Sequence, residues 1–223
     1  MKFILETIKK LFSSEISGSD TVKNFFLALV LSMCLSINSA LAADAVSVLN
    51  SAQLTPVLTG YEPCDKMVLY TLSRITNKNM STYAKVQACY DWLIVNCRYG
   101  YLDEFTIPAL PNEEGATRAM DMLIYKIGAC DDYSCAFAAL TRALGLNCYT
   151  VYGKTSRADG GYTGHIWTVI KINGVEYVFD PQVEDNIASG GDVYYYRFCK
   201  TYGEVYENYI PQRIESNYFV PLY

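Results

Sequence analysis

Three residues stand in an order that nucleophilic acyl chemistry can use: Cys130, His165 and Asp180. A thiolate attacks a carbonyl carbon, an imidazole takes and returns the proton, and a carboxylate holds the imidazole in the right tautomer. The chain of 223 residues carries one histidine. Any imidazole chemistry therefore has to pass through His165.

The cysteine follows Gly128-Ala129 and opens an apolar helix pattern over residues 130–144. Tyr133, Phe137, Leu140 and Leu144 form one stripe. Ala136, Ala138, Ala139 and Ala143 keep the helix slim enough to lie close against a sheet, and Gly145 stops it. At a helix start the backbone amides lack partners and the macrodipole is positive, an environment that favours a thiolate and helps hold a developing oxyanion. Asp131 and Asp132 work against the thiolate, but in the first turn they also cap the helix and complement its dipole, and their side chains can point to solvent. A lone cysteine is more often a small buried apolar residue or half a disulfide, which is the reading for Cys135 and Cys148. Cys130 differs in sitting at the helix start.

His165 and Asp180 are joined by a short span, GHIWTVIKINGVEYVFDPQ. Asn173-Gly174 between two β-rich runs predicts a type I′ hairpin turn, which needs positive φ at both positions. Ile172 then pairs with Val175, Ile170 with Tyr177, and Trp167 faces Asp180. Side chains alternate along a strand, so His165, Trp167 and Val169 share a face with Val178 and Asp180. As diagonal neighbours, the ring and the carboxylate are about 7–8 Å apart at Cβ, close enough to touch. The parity match alone is a one-in-two coincidence, and polar residues at strand ends would also satisfy it.

Around this pair the pattern predicts helices over 64–76, from a Ser81 cap to about Asn96, and over 116–126. A loop holding Pro108 and Pro111 covers 98–113. Strands are expected over 148–153, 165–172, 175–180 and 193–199, the last containing Tyr194-Tyr195-Tyr196. Helices first and antiparallel strands afterwards give an α+β domain over residues 43–223, not an alternating α/β one.

Residues 1–42 read as a segment outside this fold. Phe25–Leu35 is an apolar run preceded by Lys23 and followed by Ala40-Leu41-Ala42, a small-x-small cleavage signal. A signal peptide cut after Ala42 is expected, with an uncleaved anchor over 25–42 as the alternative. Removing these residues, which carry four Lys and three Asp/Glu, changes the formal charge from −5 to −6. An acidic domain with no basic run argues against nucleic acid or anionic membrane as a partner, leaving membrane contact to the N-terminal segment. Seven cysteines remain, at 64, 89, 97, 130, 135, 148 and 199, with no C-x-x-C, so a structural zinc site is not expected. Export permits disulfides. With Cys130 kept free, the other six can form three bridges or none.

Gly128-Ala129-Cys130-Asp131-Asp132-Tyr133-Ser134 leading to Leu144-Gly145, His165-Ile166-Trp167, and Asp180-Pro181 resemble, in series, the three motifs of the transglutaminase-like superfamily of papain-type thiol enzymes. Lys85–Trp92, of the form K-V-x-x-x-Y-D-W, resembles the helix that precedes them. The likeness covers about residues 81–183. It implies a papain/transglutaminase-like fold, with Cys130 as nucleophile, His165 as general base and acid, Asp180 as orienter, and no cofactor or metal. The family's oxyanion-hole side chain is not evident, and Tyr99 or Tyr101 is the candidate. Calcium sites and zinc-binding cysteine pairs of larger relatives have no counterpart here.

The expected function is an exported thiol enzyme acting on a peptide or amide carbonyl through a thioester, with hydrolysis slightly favoured over acyl transfer to an amine. Its partner would be a peptide or protein, including cell-surface material. The alternatives are a catalytically silent module that binds peptide or cell-wall material, and a disulfide-stapled structural protein in which Cys130 is bridged.

Overall fold

A computed structural model describes residues 44–101, 114–187 and 192–222. The expected leader and most of the loop at 98–113 lie outside them. The helical first half consists of α1 (Ala45–Asn50), α2 (Glu62–Ile75) and α3 (Thr82–Asn96), then a two-residue strand β1 (Arg98–Tyr99), α4 (Glu114–Tyr125), a second short strand β2 (Ile127–Gly128), and α5 (Cys130–Ala143). The second half holds β3 (Cys148–Ser156), β4 (Tyr162–Ile172), β5 (Val175–Phe179), α6 (Pro181–Ile187), β6 (Lys200–Thr201) and β7 (Tyr209–Ile214). The architecture is α+β. One antiparallel sheet has the order β6-β5-β4-β3-β7, and β1 pairs with β2 in a separate parallel ladder.

Local chemistry explains the helix starts. Ser81 caps α3, its side chain accepting a bond from the Ala84 amide at 3.2 Å. Helix α2 opens on Glu62-Pro63 and buries Cys64, Val68, Thr71 and Leu72, one face at helical spacing. Helix α5 departs from the single-stripe expectation. Every residue from Tyr133 to Thr141 is buried, because helices α2, α3 and α4 surround the faces that the sheet does not cover. Its four alanines allow that crowding.

The hairpin follows the expected register. Asn173 and Gly174 have φ of 52° and 83°, and Ile172 pairs with Val175 and Ile170 with Tyr177. The β4–β5 ladder ends at Thr168–Phe179, so Trp167 and Asp180 lie just beyond it. The sheet carries a core on each face. Ile170, Ile172 and Phe179 join the helical core around Tyr90, Phe137 and Phe198. Trp167, Val169 and Val178 pack with Tyr149, Val151, Val205 and Tyr209.

The expected strand at 193–199 does not form. Tyr195 and Cys199 have positive φ (59° and 54°), which breaks an extended run. The amides of Tyr194 and Arg197 donate instead to the buried Glu184 carboxylate, at 3.1 and 2.9 Å. A side chain thus supplies the acceptors that a neighbouring strand would have offered. Tyr194 and Tyr196 still project together, stacked at 5.6 Å, while Tyr195 turns inward onto Tyr90 and Phe198.

Among the described residues all seven cysteines are free thiols; six are buried and Cys130 is partly exposed. Burial pushes the thiols of Cys64, Cys97 and Cys148 up to about 12.

Candidate active site

His165 and Asp180 meet. Imidazole Nε2 lies 2.6 Å from Asp180 Oδ2, with the two side chains 4% and 0% exposed. Asp180 holds more than the ring. Its Oδ1 accepts from the Val183 amide at 3.0 Å, so the carboxylate also caps α6. Pro181 stands at the first helical position, where its missing N–H costs nothing. The Asp-Pro pair is therefore a helix start that aims a carboxylate back across the hairpin. The backbone of Asp180 is pinned by Arg197, whose carbonyl accepts from its amide at 3.0 Å, and by the Tyr90 hydroxyl, which donates to its carbonyl at 3.0 Å. The Tyr209 hydroxyl donates to Oδ2 at 2.6 Å.

The electrostatics follow from this dry pairing. Burial opposes a charged ring at His165, but Asp180 and the Cys130 sulfur outweigh it and push the imidazole from 6.5 up to about 10. Burial likewise opposes the Asp180 carboxylate, and the charge and hydrogen bonds of His165, with those of Tyr209 and Val183, hold it below its ordinary value. The pair is an imidazolium against a carboxylate.

Cys130 is the first residue of α5 and lines the same cleft as His165, its sulfur near enough to help hold the proton on the ring. Because Nε2 is engaged by Asp180, Nδ1 is the nitrogen left to face the sulfur. Ser134 donates to the Ile166 carbonyl at 3.0 Å, fastening the first turns of α5 to β4 beside the histidine. The structure thus brings the three sequence-predicted residues together.

Asp131 and Asp132 lie in the first turn, where Asp132 caps the helix, and their side chains turn to a cation, not to solvent. Helix α4 runs alongside and presents Arg118, whose guanidinium lies 2.7 Å from Asp131 and 3.1 Å from Asp132. Asp132 also reaches back to accept from the Ala129 amide at 2.8 Å. This return is why position 128 is glycine: a Cβ there would sit 2.5 Å from Asp132 Cβ and 2.9 Å from Met122 Sδ. The charges flanking the nucleophile are therefore partly offset from behind.

A cleft of about 730 Å³ opens over the pair, lined by Tyr99, Cys130, Arg157, His165, Gln182 and Arg197 among others. Pairing of Tyr99 with Gly128 across β1 and β2 brings Tyr99 there. Tyr101, the other candidate, is 75% exposed and reaches the cleft only through Tyr99, the two hydroxyls lying 3.1 Å apart. That bond first, then burial and the nearby Cys130 and Asp131 charges, push the Tyr99 phenol up to about 12, so it is a neutral donor at ordinary pH. Among the described residues no group of three or more His, Cys, Asp or Glu side chains is arranged to hold a metal.

Sequence reasoning missed Tyr209, Arg118 and Arg197. Tyr209 lies in a C-terminal segment that shows no motif, and only its strand-like run YIPQRI hinted at a sheet edge. Arg118 sits on a helix that the pattern did find, but no spacing rule links it to Asp131.

The model of the transglutaminase-like superfamily matches residues 70–181, and the chain belongs to that superfamily. No curated protein matches the chain. Two of the solved structures similar to it illustrate the likeness. One, from Cytophaga hutchinsonii and provisionally described as a cysteine protease, shares 19% identity at a TM-score of 0.40, over 82% of this chain and 60% of that one. The other, described as a TGase, shares 14% identity at a TM-score of 0.34, over 70% of this chain and 37% of that one. The chain spans less than two thirds of either neighbour's length. The α+β fold is of the transglutaminase-like kind, and the superfamily is one of cysteine thiol enzymes.

Proposed function

We propose that the protein is an exported cysteine-nucleophile enzyme that acts on peptide or amide carbonyls through a thioester. The observation that carries this reading is the buried His165–Asp180 pair at 2.6 Å with Cys130 beside it on the wall of the same cleft. The Cys130 sulfur attacks the carbonyl carbon, and the oxygen takes up the negative charge. The helix-start amides of α5 can receive that charge, and the Tyr99 hydroxyl, on the wall of the same cleft, is the candidate side-chain donor. As the C–N bond breaks, His165 gives its Nδ1 proton to the leaving amine. Water, deprotonated by the now neutral ring, then adds to the thioester and expels the sulfur, releasing the acid and restoring the thiol. An amine in place of water would give acyl transfer. The leader pattern of residues 1–42 supports export, and the family membership supports thiol chemistry.

Alkylation of Cys130 by iodoacetamide against pH, in the wild type and in His165→Ala, tests the pair. The wild type is expected to react across neutral pH, and His165→Ala to react only as pH approaches the range of an ordinary thiol, about 8.5. Superimposable profiles would refute a coupled pair and favour a silent binding module.

A further inference from the structure

The cleft over Cys130 carries an unmatched positive charge. No acidic residue is among the described residues that line it; beside the His165 imidazolium, which Asp180 balances, stand two arginines, Arg157 and Arg197, and they are not equivalent. Arg157 is already paired with Asp159 at 2.6 Å in an exposed turn. Arg197 has no carboxylate within 4 Å of its guanidinium among the described residues, and its Nε is buried without a hydrogen-bond partner. In a protein of net charge −5 this is unexpected, because a half-buried guanidinium is ordinarily satisfied by a carboxylate.

Arg197 is also held in place. Its amide donates to Glu184, which is 0% exposed, and its Nη1 to the Tyr196 carbonyl at 3.2 Å. The guanidinium lies over the Tyr209 ring, 5.7 Å from its centroid, and that tyrosine donates to Asp180. The charge is therefore fixed to the same framework that orients the histidine. A fixed arginine at a cleft wall whose guanidinium bonds, among the described residues, go only to the Tyr196 carbonyl and the Tyr209 hydroxyl, with no carboxylate partner, can receive a carboxylate, since its planar fork matches that group.

We propose that Arg197 selects substrates that carry a carboxylate close to the amide attacked by Cys130. The assignment rests on the thiol-enzyme reading of the site. The carboxylate can be an acidic side chain or the free C-terminus of a peptide.

Competing alkylation tests this on the intact chain. Iodoacetate and iodoacetamide form the same S–C bond with loss of iodide, and differ in charge. Their rate ratio at Cys130 is compared in the wild type and in Arg197→Met, both containing His165, so that the imidazolium's own attraction cancels. The ratio is expected to fall about fivefold in Arg197→Met and to be largely restored in Arg197→Lys. An unchanged ratio in Arg197→Met overturns the proposal.

A second arm needs no variant. Acetyl-Ala-Glu-Ala-amide and acetyl-Ala-Gln-Ala with a free C-terminus are each expected to slow iodoacetamide labelling of the wild type more than acetyl-Ala-Gln-Ala-amide, if their kind of carboxylate is the one recognised. Protection by the first identifies a side chain, by the second a C-terminus. Protection by neither beyond the neutral peptide overturns the proposal. Failure of the enzyme reading looks different: iodoacetamide would then label Cys130 no faster at pH 7 than an ordinary thiol, whatever the ratio.

Discussion

The phenol of Tyr209 and the imidazole of His165 converge on one oxygen, Oδ2 of Asp180, each at 2.6 Å. A carboxylate oxygen shared by two buried donors cannot swing without breaking both bonds. Tyr209 itself is packed against Trp167 at 5.0 Å, edge to face, and Trp167 stacks on His165 at 6.2 Å. We therefore read Tyr209 as a positioning residue. Tyr209→Phe keeps the ring and removes the donor. It is expected to cost about 1–3 kcal/mol in urea unfolding. It is also expected to move the acid limb of stability to higher pH, because Asp180 loses a bond that favours its ionised form. A purely structural defect would lower stability at every pH without moving that limb.

The His165–Asp180 pair gives stability a pH dependence of definite sign. The folded ring holds its proton from 6.5 up to about 10, while the unfolded ring releases it near 6.5. Its contribution is complete below 6.5 and is lost as pH rises through about 10. Asp180, depressed below 3.8, contributes above that value and loses its contribution as pH falls through its folded pKa. Urea midpoints are therefore expected to decline from pH 6.5 to pH 10, and the decline to flatten in His165→Gln. A wild-type decline matched by the variant would assign the slope to other groups.

Arg118 partly offsets two carboxylates next to the nucleophile. Its side chain is 32% exposed and those of Asp131 and Asp132 are 19% and 20% exposed, so the cluster is only partly screened. Arg118→Met is expected to lower stability by about 1–3 kcal/mol. Leaving Asp131 and Asp132 without that cation beside Cys130 should also slow its alkylation by iodoacetamide at pH 7 several-fold. Loss of stability with unchanged alkylation would confine Arg118 to a structural role.

Gly128→Ala puts a methyl group where Asp132 folds back onto the Ala129 amide. Thermal unfolding is expected to report a loss of about 2 kcal/mol. Asp132→Gly, which removes both the Cβ and the carboxylate that the added methyl would meet, should tolerate it better than the wild type does. Strict additivity of the two changes in a double-mutant cycle would refute the contact.

Local rules carried a good part of this architecture. Asn173-Gly174 set the hairpin register, and the register set the shared face of His165 and Asp180. Ser81 and Gly128-Ala129-Cys130 marked two helix starts that the structure keeps. What local pattern could not supply were partners distant in the chain. Tyr209 meets Asp180 from 29 residues away, and Arg118 meets Asp131 from the helix before. The failed strand at 193–199 has the same origin. Its aromatic run reads as extended, but a single buried carboxylate, Glu184, gathers two of its amides and bends it. Helix α6, which Asp180 caps, was too short for periodicity to reveal.

The state of the sulfurs has a practical corollary. With six thiols sealed in the core and no bridge among the described residues, no covalent link holds this fold together. Reductant, which a nucleophilic sulfur needs in order to escape oxidation, should leave the melting temperature where it was. Cys130 then becomes a chemical handle that can be tagged in the native protein without removing any other cysteine.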